Sequence, residues 1–166
     1  MHLPRKLIVA VDAEGLSDGA IDTGAELARV FGAQLELVHA FRTSILGTTL
    51  VEDPRKIARA GDMSESVLKF VQAHVRDVLA ASGSPLRAEE ILSVKAGLPA
   101  RVLLDHARET QADLIVLGSL RKRPVVDFGS TARSVLAKAT SPVLVQPGTR
   151  TAIRRILVAV DLSPES

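Results

Sequence analysis

The sequence predicts a doubly wound α/β domain: a five-stranded parallel sheet with helices on both faces. Two observations carry that prediction. Short continuous apolar runs, rich in β-branched residues, alternate with longer segments whose apolar residues recur at helical spacing. The apolar residues, 46% of the chain, are also almost wholly aliphatic, with four Phe, no Tyr and no Trp. A core of Ala, Val, Leu and Ile suits strands buried on both faces beneath helices. At 166 residues the chain has room for one well-buried domain and too little for two of ordinary size.

The first strand is Leu7-Ile8-Val9-Ala10-Val11, ending at Asp12. Leu16, Ala20, Leu27, Ala28 and Phe31 follow at helical spacing, with Ser17 or Asp18 as the expected cap and Gly32 as the stop. Leu35-Glu36-Leu37-Val38-His39-Ala40-Phe41 reads as the second strand. Over residues 42–61 the pattern breaks down, and a connection of that length is expected to be functional or mobile. Its apolar pairs, Ile45-Leu46 and Leu50-Val51, suggest a segment that folds over a crevice or docks on a partner domain. Asp62 and Glu65 look like a capping box, opening a helix with Val67, Leu68, Val71, Val75, Val78 and Leu79 on one face and Gly83 at its end.

Residues 91–95 form a third strand, and Pro99 suits the first turn of a helix running to about Thr110. Leu114-Ile115-Val116-Leu117 is a fourth strand, ending at Gly118. A polar, basic stretch leads to Gly129-Ser130, where the last helix opens and where Ser130 is the expected cap. Pro142-Val143-Leu144-Val145 is the fifth strand, and its leading proline fits an edge. Ligands on such sheets sit beyond the carboxyl ends of the strands where the strand order reverses. Asp12, His39 and Gly118 stand at three such ends.

Several function classes are excluded or disfavoured. With no cysteine there is no disulfide, thiolate nucleophile or Cys-based metal site. A net charge of +2, evenly spread, and the scarcity of aromatic stacking platforms argue against nucleic acid as a partner. No apolar run approaches the roughly 20 residues of a membrane span, and the start lacks the layout of a secretory signal. The expectation is a cytoplasmic protein. His2, His74 and His106 are scattered without metal-ligand spacing, and neither a dinucleotide fingerprint nor a Walker lysine motif occurs. Asp127 is expected to pair with Arg121 or Arg123. No general base stands in view, so efficient hydrolysis is not expected and the chain is not expected to be an enzyme.

The tail repeats the start. Arg155-Ile156-Leu157-Val158-Ala159-Val160-Asp161 follows Lys6-Leu7-Ile8-Val9-Ala10-Val11-Asp12 almost residue for residue. The expected organisation is a domain over residues 1–147, a linker over 148–154, and the first strand of a second, truncated repeat over 155–166.

In order and spacing these segments resemble the universal stress protein family along residues 6–147. The features that carry the resemblance are Ile8-Val9-Ala10-Val11-Asp12, Leu37-Val38-His39 and Gly97-Leu98-Pro99. With them go Ala112-Asp113-Leu114-Ile115-Val116-Leu117-Gly118 and Gly129-Ser130 leading to Ser141-Pro142-Val143-Leu144-Val145. The resemblance implies dimers that pair through the last strand, here Pro142 to Val145, or an equivalent pairing of two domains within one chain.

Some members of the family bind ATP, using an Asp after the first strand and a loop of the form G-x2-G-x9-G-[S/T]. Glycines in such a loop let the backbone approach phosphates, and the N–H groups of a helix start bind their oxygens. Gly118 matches the first glycine and Gly129-Ser130 the last pair. Arg121 stands at the second glycine's place, and ten residues separate Gly118 from Gly129 where the pattern has twelve. Arg121, Lys122 or Arg123 would then meet the phosphates with direct charge. The resemblance thus implies an ATP site, with Mg2+ accompanying the nucleotide, built from Val11, Asp12, Ala13, His39, Ala40, Leu117, Gly118, Ser119, Arg121, Gly129, Ser130 and Thr131. The expected function is a stress-response regulatory module binding ATP with little or no hydrolysis. The alternative is a nucleotide-free dimerisation module whose phosphate loop has degenerated.

Overall fold

A computed structural model describes residues 3–41, 54–118, 129–148 and 157, with the backbone alone over 54–64. In chain order the elements are β1 (Lys6–Val11), α1 (Asp18–Phe31), β2 (Gln34–Phe41), α2 (Pro54–Ala81) and α3 (Ala88–Ile91). They continue with β3 (Leu92–Ala96), α4 (Pro99–Thr110), β4 (Leu114–Gly118), α5 (Ser130–Lys138) and β5 (Val143–Gln146). The strands form one five-stranded sheet in the order β3-β2-β1-β4-β5, and each neighbouring pair is parallel. The expected doubly wound sheet is the observed one, with the order reversing between β1 and β4 and β5 at an edge.

Alternation along the buried strands divides the core into two layers. Leu7, Val9 and Val11 of β1 face α1 and α2 and pack with Leu37, Ile21, Val71, Val75 and Leu79. Ile8 faces the other way and packs with Val38, Leu103, Leu104, Ile115 and Val135 beneath α4 and α5. Each fully buried Leu, Ile or Val contributes about 1.5–3 kcal/mol of transfer free energy. Asp113 fixes where β4 meets β1: its Oδ2 accepts the backbone N–H groups of Arg5 and Lys6 at 2.8 and 3.0 Å. Among the described residues, no helix is long and apolar enough to cross a membrane.

Two helix starts differ from the sequence reading, and the four-residue α3, which takes Ile91 from the expected third strand, was not foreseen. α2 begins at Pro54, so Asp62 lies within the helix rather than at its cap, and the Asp62–Glu65 capping box does not form. Pro54 suits a first helical position, and the Arg, Lys and Ala residues behind it favour helix without an apolar stripe to announce it. The rest of the irregular connection, residues 42–53, lies outside the described residues, as do residues 149–154 of the expected 148–154 linker and all but Leu157 of the repeated tail. At α5, Gly129 takes the cap position and has no side chain with which to cap the helix. Ser130 is the first helical residue, past the point from which a hydroxyl can reach the free N–H groups.

Polar ties hold the helices in place. His74 Nε2 lies 2.7 Å from Asp18 Oδ1, joining α2 to α1. Arg76 pairs with Glu89, joining α2 to α3. The exposed carboxyls of Glu65 and Glu89 sit below the ordinary carboxylate range because Lys69 and Arg76 donate side-chain hydrogen bonds to them. Their small contribution is present above that range and is lost as pH falls through the lowered values.

The largest tie is a chain of charges under α4. His106 is 6% exposed; its Nδ1 lies 2.8 Å from Lys95 Nζ and its Nε2 2.7 Å from Glu36 Oε2. An ammonium only donates, so Nδ1 accepts and the ring proton sits on Nε2, donating to Glu36. Lys6 lies 3.5 Å from the other oxygen of Glu36, so β1, β2, β3 and α4 share one network. His106→Leu is expected to lower stability by about 1–2 kcal/mol through loss of both hydrogen bonds. The change would appear as a lower urea midpoint. A midpoint within error of the parent would mean that water replaces the network without loss.

Candidate functional site

A crevice of about 390 Å³ opens where β1 and β4 diverge, within the range of small-molecule sites. Its floor is the carboxyl ends of β1, β2 and β4: Val11, Asp12 and Ala13, then His39 and Ala40, then Leu117 and Gly118. Thr131 in the first turn of α5 forms one wall. Eight of the expected site residues thus come together. Gly129 and Ser130 lead into that wall at the start of α5. Ser119 and Arg121 lie outside the described residues, as does Asp127.

Asp12 organises the turn that follows β1. Its Oδ1 accepts the N–H of Glu14 at 2.6 Å and that of Leu16 at 3.1 Å. Its own N–H donates to Ser17 Oγ at 3.0 Å. Ser17 stands at the cap position of α1 with ψ near 2° and makes no side-chain cap bond; its hydroxyl serves Asp12 instead. Among the described residues both bonds to the carboxylate fall on Oδ1, and Oδ2 keeps lone pairs that a donor can meet.

Gly118 has a structural reason to be glycine. A Cβ built on it would lie 2.8 Å from the carbonyl oxygen of Leu16 and 2.9 Å from Ser17 Cα. The turn from β1 into α1 crosses directly over the end of β4, and only a residue without a side chain leaves room. The close approach that the loop pattern attributes to phosphate is made here by the protein's own backbone.

His39 is 7% exposed, and its Nδ1 lies 2.8 Å from the carbonyl oxygen of Val11, its register partner across β1 and β2. That bond ties the two strand ends that form the floor. On the opposite wall, α5 begins with φ −59° and ψ 168° at Gly129, and Arg133 N–H makes the first helical bond back to the Gly129 carbonyl. The N–H groups of Ser130, Thr131 and Ala132 therefore have no partner within the helix, an arrangement that favours anions.

Sequence reasoning missed the apolar half of the crevice. Val38, Phe41, Pro99 and Leu103 line it on the β2 side, and Ala10, Leu16 and Ala132 complete it. The signal for Ala10 and Val38 lay in strand alternation. That for Pro99 and Leu103 existed only once α4 was known to lie beside β2. Chemically, the crevice pairs an apolar slot at β2 with N–H groups at α5 that have no partner within the helix, and the carboxylate residues Asp12 and Glu14 also line it. Among the described residues, no group of three or more His, Asp or Glu is placed to hold a metal ion.

Comparison with known proteins places this geometry. Residues 4–147 match the profile of the universal stress protein family. Universal stress protein YxiE of Bacillus subtilis is 28% identical over 148 residues, covering 84% of this chain and 97% of that protein. The solved structure of universal stress protein UspA from Lactobacillus plantarum superposes with a TM-score of 0.66 at 22% identity, over 85% of this chain and 96% of that one. The universal stress protein from Archaeoglobus fulgidus in complex with dAMP superposes with a TM-score of 0.51 at 21% identity, over 87% and 98%. At these identities the solved structures establish the shared fold.

Proposed function

The chain belongs to the universal stress protein family, and on that premise we propose that it is a cytoplasmic stress-response module whose crevice binds an adenine nucleotide. The observation that carries this reading is the juxtaposition in one cavity of an apolar slot at β2, the Asp12 carboxylate and the free N–H groups of α5. A base fits the slot, and Asp12 Oδ2 accepts a hydrogen bond from the nucleoside. Phosphates meet the start of α5, where helix N–H groups and the helix dipole favour negative charge. The relative solved in complex with dAMP supports the choice of an adenine nucleotide. We take the ligand to be ATP, accompanied by Mg2+ bound through its phosphates, and we assign no hydrolytic residue.

A second reading, a dimerisation module, draws on β5. This strand forms one edge of the sheet, and an edge strand presents N–H and C=O groups to which a second copy can add. Pairing through Pro142 to Val145 is compatible with nucleotide binding and does not require it.

The test begins with the purified chain. Denaturation followed by mass spectrometry is expected to release an adenine nucleotide, and the stripped protein is expected to bind Mg-ATP saturably. Gly129→Val, which sets a branched side chain at the α5 entry, is expected to weaken that binding tenfold or more, about 1.4 kcal/mol or more. No released nucleotide and no binding into the millimolar range would leave dimerisation as the function.

A further inference from the structure

We propose that Lys95 is an acylation site: its Nζ is the nucleophile toward an activated acyl group, an acyl phosphate or acyl thioester, with His106 as the base and Glu36 orienting that base. The sheet brings the three together. Glu36, Val38 and Ala40 of β2 share one face, because strand residues alternate, and Lys95 is the register partner of Ala40 on β3. α4 covers that face, where Leu103 and Leu104 pack with Val38, and His106 follows three residues on. Lys95 Nζ lies 2.8 Å from His106 Nδ1, and His106 Nε2 lies 2.7 Å from Glu36 Oε2. Nucleophile, base and orienting carboxylate in that order form the arrangement that activates a weak nucleophile.

Burial divides the roles. His106 is buried, while the Lys95 side chain is 39% exposed, so an electrophile can reach it from solvent. Glu109 Oε2, 3.5 Å from Nζ, pairs with the resting ammonium, and Lys6 lies 3.5 Å from the other oxygen of Glu36. In the reaction the ammonium gives one proton to Nδ1, and the Glu36 carboxylate offsets the charge of the imidazolium. The Nζ lone pair then attacks the acyl carbon. The C–O bond of the acyl phosphate, or the C–S bond of the thioester, breaks, and its electron pair leaves with the phosphate or thiolate. A second proton passes from Nζ to the leaving group, and His106 returns its own to water. The product is a neutral amide whose N–H still donates to Nδ1, while the ion pair with Glu109 is lost.

Two exposed lysines serve as internal references. The Lys69 side chain is 72% exposed and pairs with the Glu65 carboxylate at 2.7 Å; Lys138 is exposed at the end of α5. The whole chain is incubated with acetyl phosphate, or in a parallel arm with acetyl-CoA, and the acetylation of each lysine is followed in time by peptide mass spectrometry. Lys95 is expected to react about tenfold faster than either reference with at least one donor, a fraction of the roughly 100-fold or more that a positioned base supplies in an enzyme. In urea the three lysines are expected to react alike. His106→Gln keeps an oxygen that can accept from Lys95 but takes no proton. It is expected to lower Lys95 to the rate of the references without changing theirs. Glu36→Gln keeps an acceptor for the His106 N–H and removes its charge, and it is expected to slow Lys95 as well. Melting curves identify the variants that are folded.

Equal rates at the three lysines of the unaltered chain, with both donors, overturn the proposal without recourse to any variant. Undiminished selectivity for Lys95 in folded His106→Gln or Glu36→Gln overturns it too, and leaves the hydrogen-bonded line as a tie between β2, β3 and α4. Selectivity with one donor alone supports it and identifies the leaving group.

Discussion

Gly118→Ala is expected to destabilise the fold by about 3 kcal/mol, the upper end of the usual cost of overpacking, and to abolish nucleotide binding at concentrations that saturate the parent. The new methyl would stand 2.8 Å from the Leu16 carbonyl oxygen and 2.9 Å from Ser17 Cα. Both are backbone atoms, so no rotamer change relieves the contact, and the turn between β1 and α1 must move. That turn carries Ser17, whose hydroxyl accepts the Asp12 N–H, and Leu16, whose N–H donates to the Asp12 carboxylate. Displacement at Gly118 therefore reaches Asp12 through two hydrogen bonds and distorts the crevice floor. Chemical denaturation and titration with Mg-ATP read the two effects separately. A variant with the parent's midpoint and affinity would show that the turn yields freely and that the glycine is not required by packing.

Gly24→Ala is expected to cost about 2 kcal/mol although it lies within α1, where alanine is intrinsically the better residue by about 1 kcal/mol. The added Cβ would run into Val9 Cγ2, and Val9 is fully buried in the centre of the sheet. A β-branched side chain has little rotamer freedom with which to withdraw, so the helix must lift from β1. The sign of the effect separates the two explanations, since propensity raises the denaturation midpoint and overpacking lowers it. Adding Val9→Ala to this variant is expected to recover stability relative to the sum of the single changes, with a coupling of about 0.5–3 kcal/mol. Strict additivity would place the cause elsewhere than in the Val9–Gly24 contact.

Neither glycine's role could be read from spacing. Gly118 was legible as a strand end and as a loop glycine, but its reason, the passage of residues 16–17 overhead, depends on a contact between segments a hundred residues apart. Gly24 sits in a helical run with no local demand for flexibility and carries no local signal. The same holds for His39. Its position at a strand end was visible, while its bond to the Val11 carbonyl, and hence its tautomer, needed the register of β1 against β2. His74 and His106 read as isolated residues on helices, and each proved to be joined to a carboxylate on another element.

What the sequence by itself determined is the class of the fold and its elements apart from the four-residue α3. Buried strands must be continuous apolar runs, and amphipathic helices must repeat at their own period, so β1, α1, β2, β3, α4, β4, α5 and β5 were all legible to within a few residues. Doubly wound connection then follows from the alternation of those elements, and with it the crest at which Asp12, His39 and Gly118 gather. The start of α2 escaped, because its first residues, rich in Arg, Lys and Ala, carry no apolar stripe in the sequence.

Only the tertiary structure decided which side chains close the crevice, which backbone groups approach too closely to admit a Cβ, and which nitrogen of a histidine carries its proton. Each of these depends on a distance between residues far apart in the chain. Periodicity encodes which face of an element is buried, but not what lies against it.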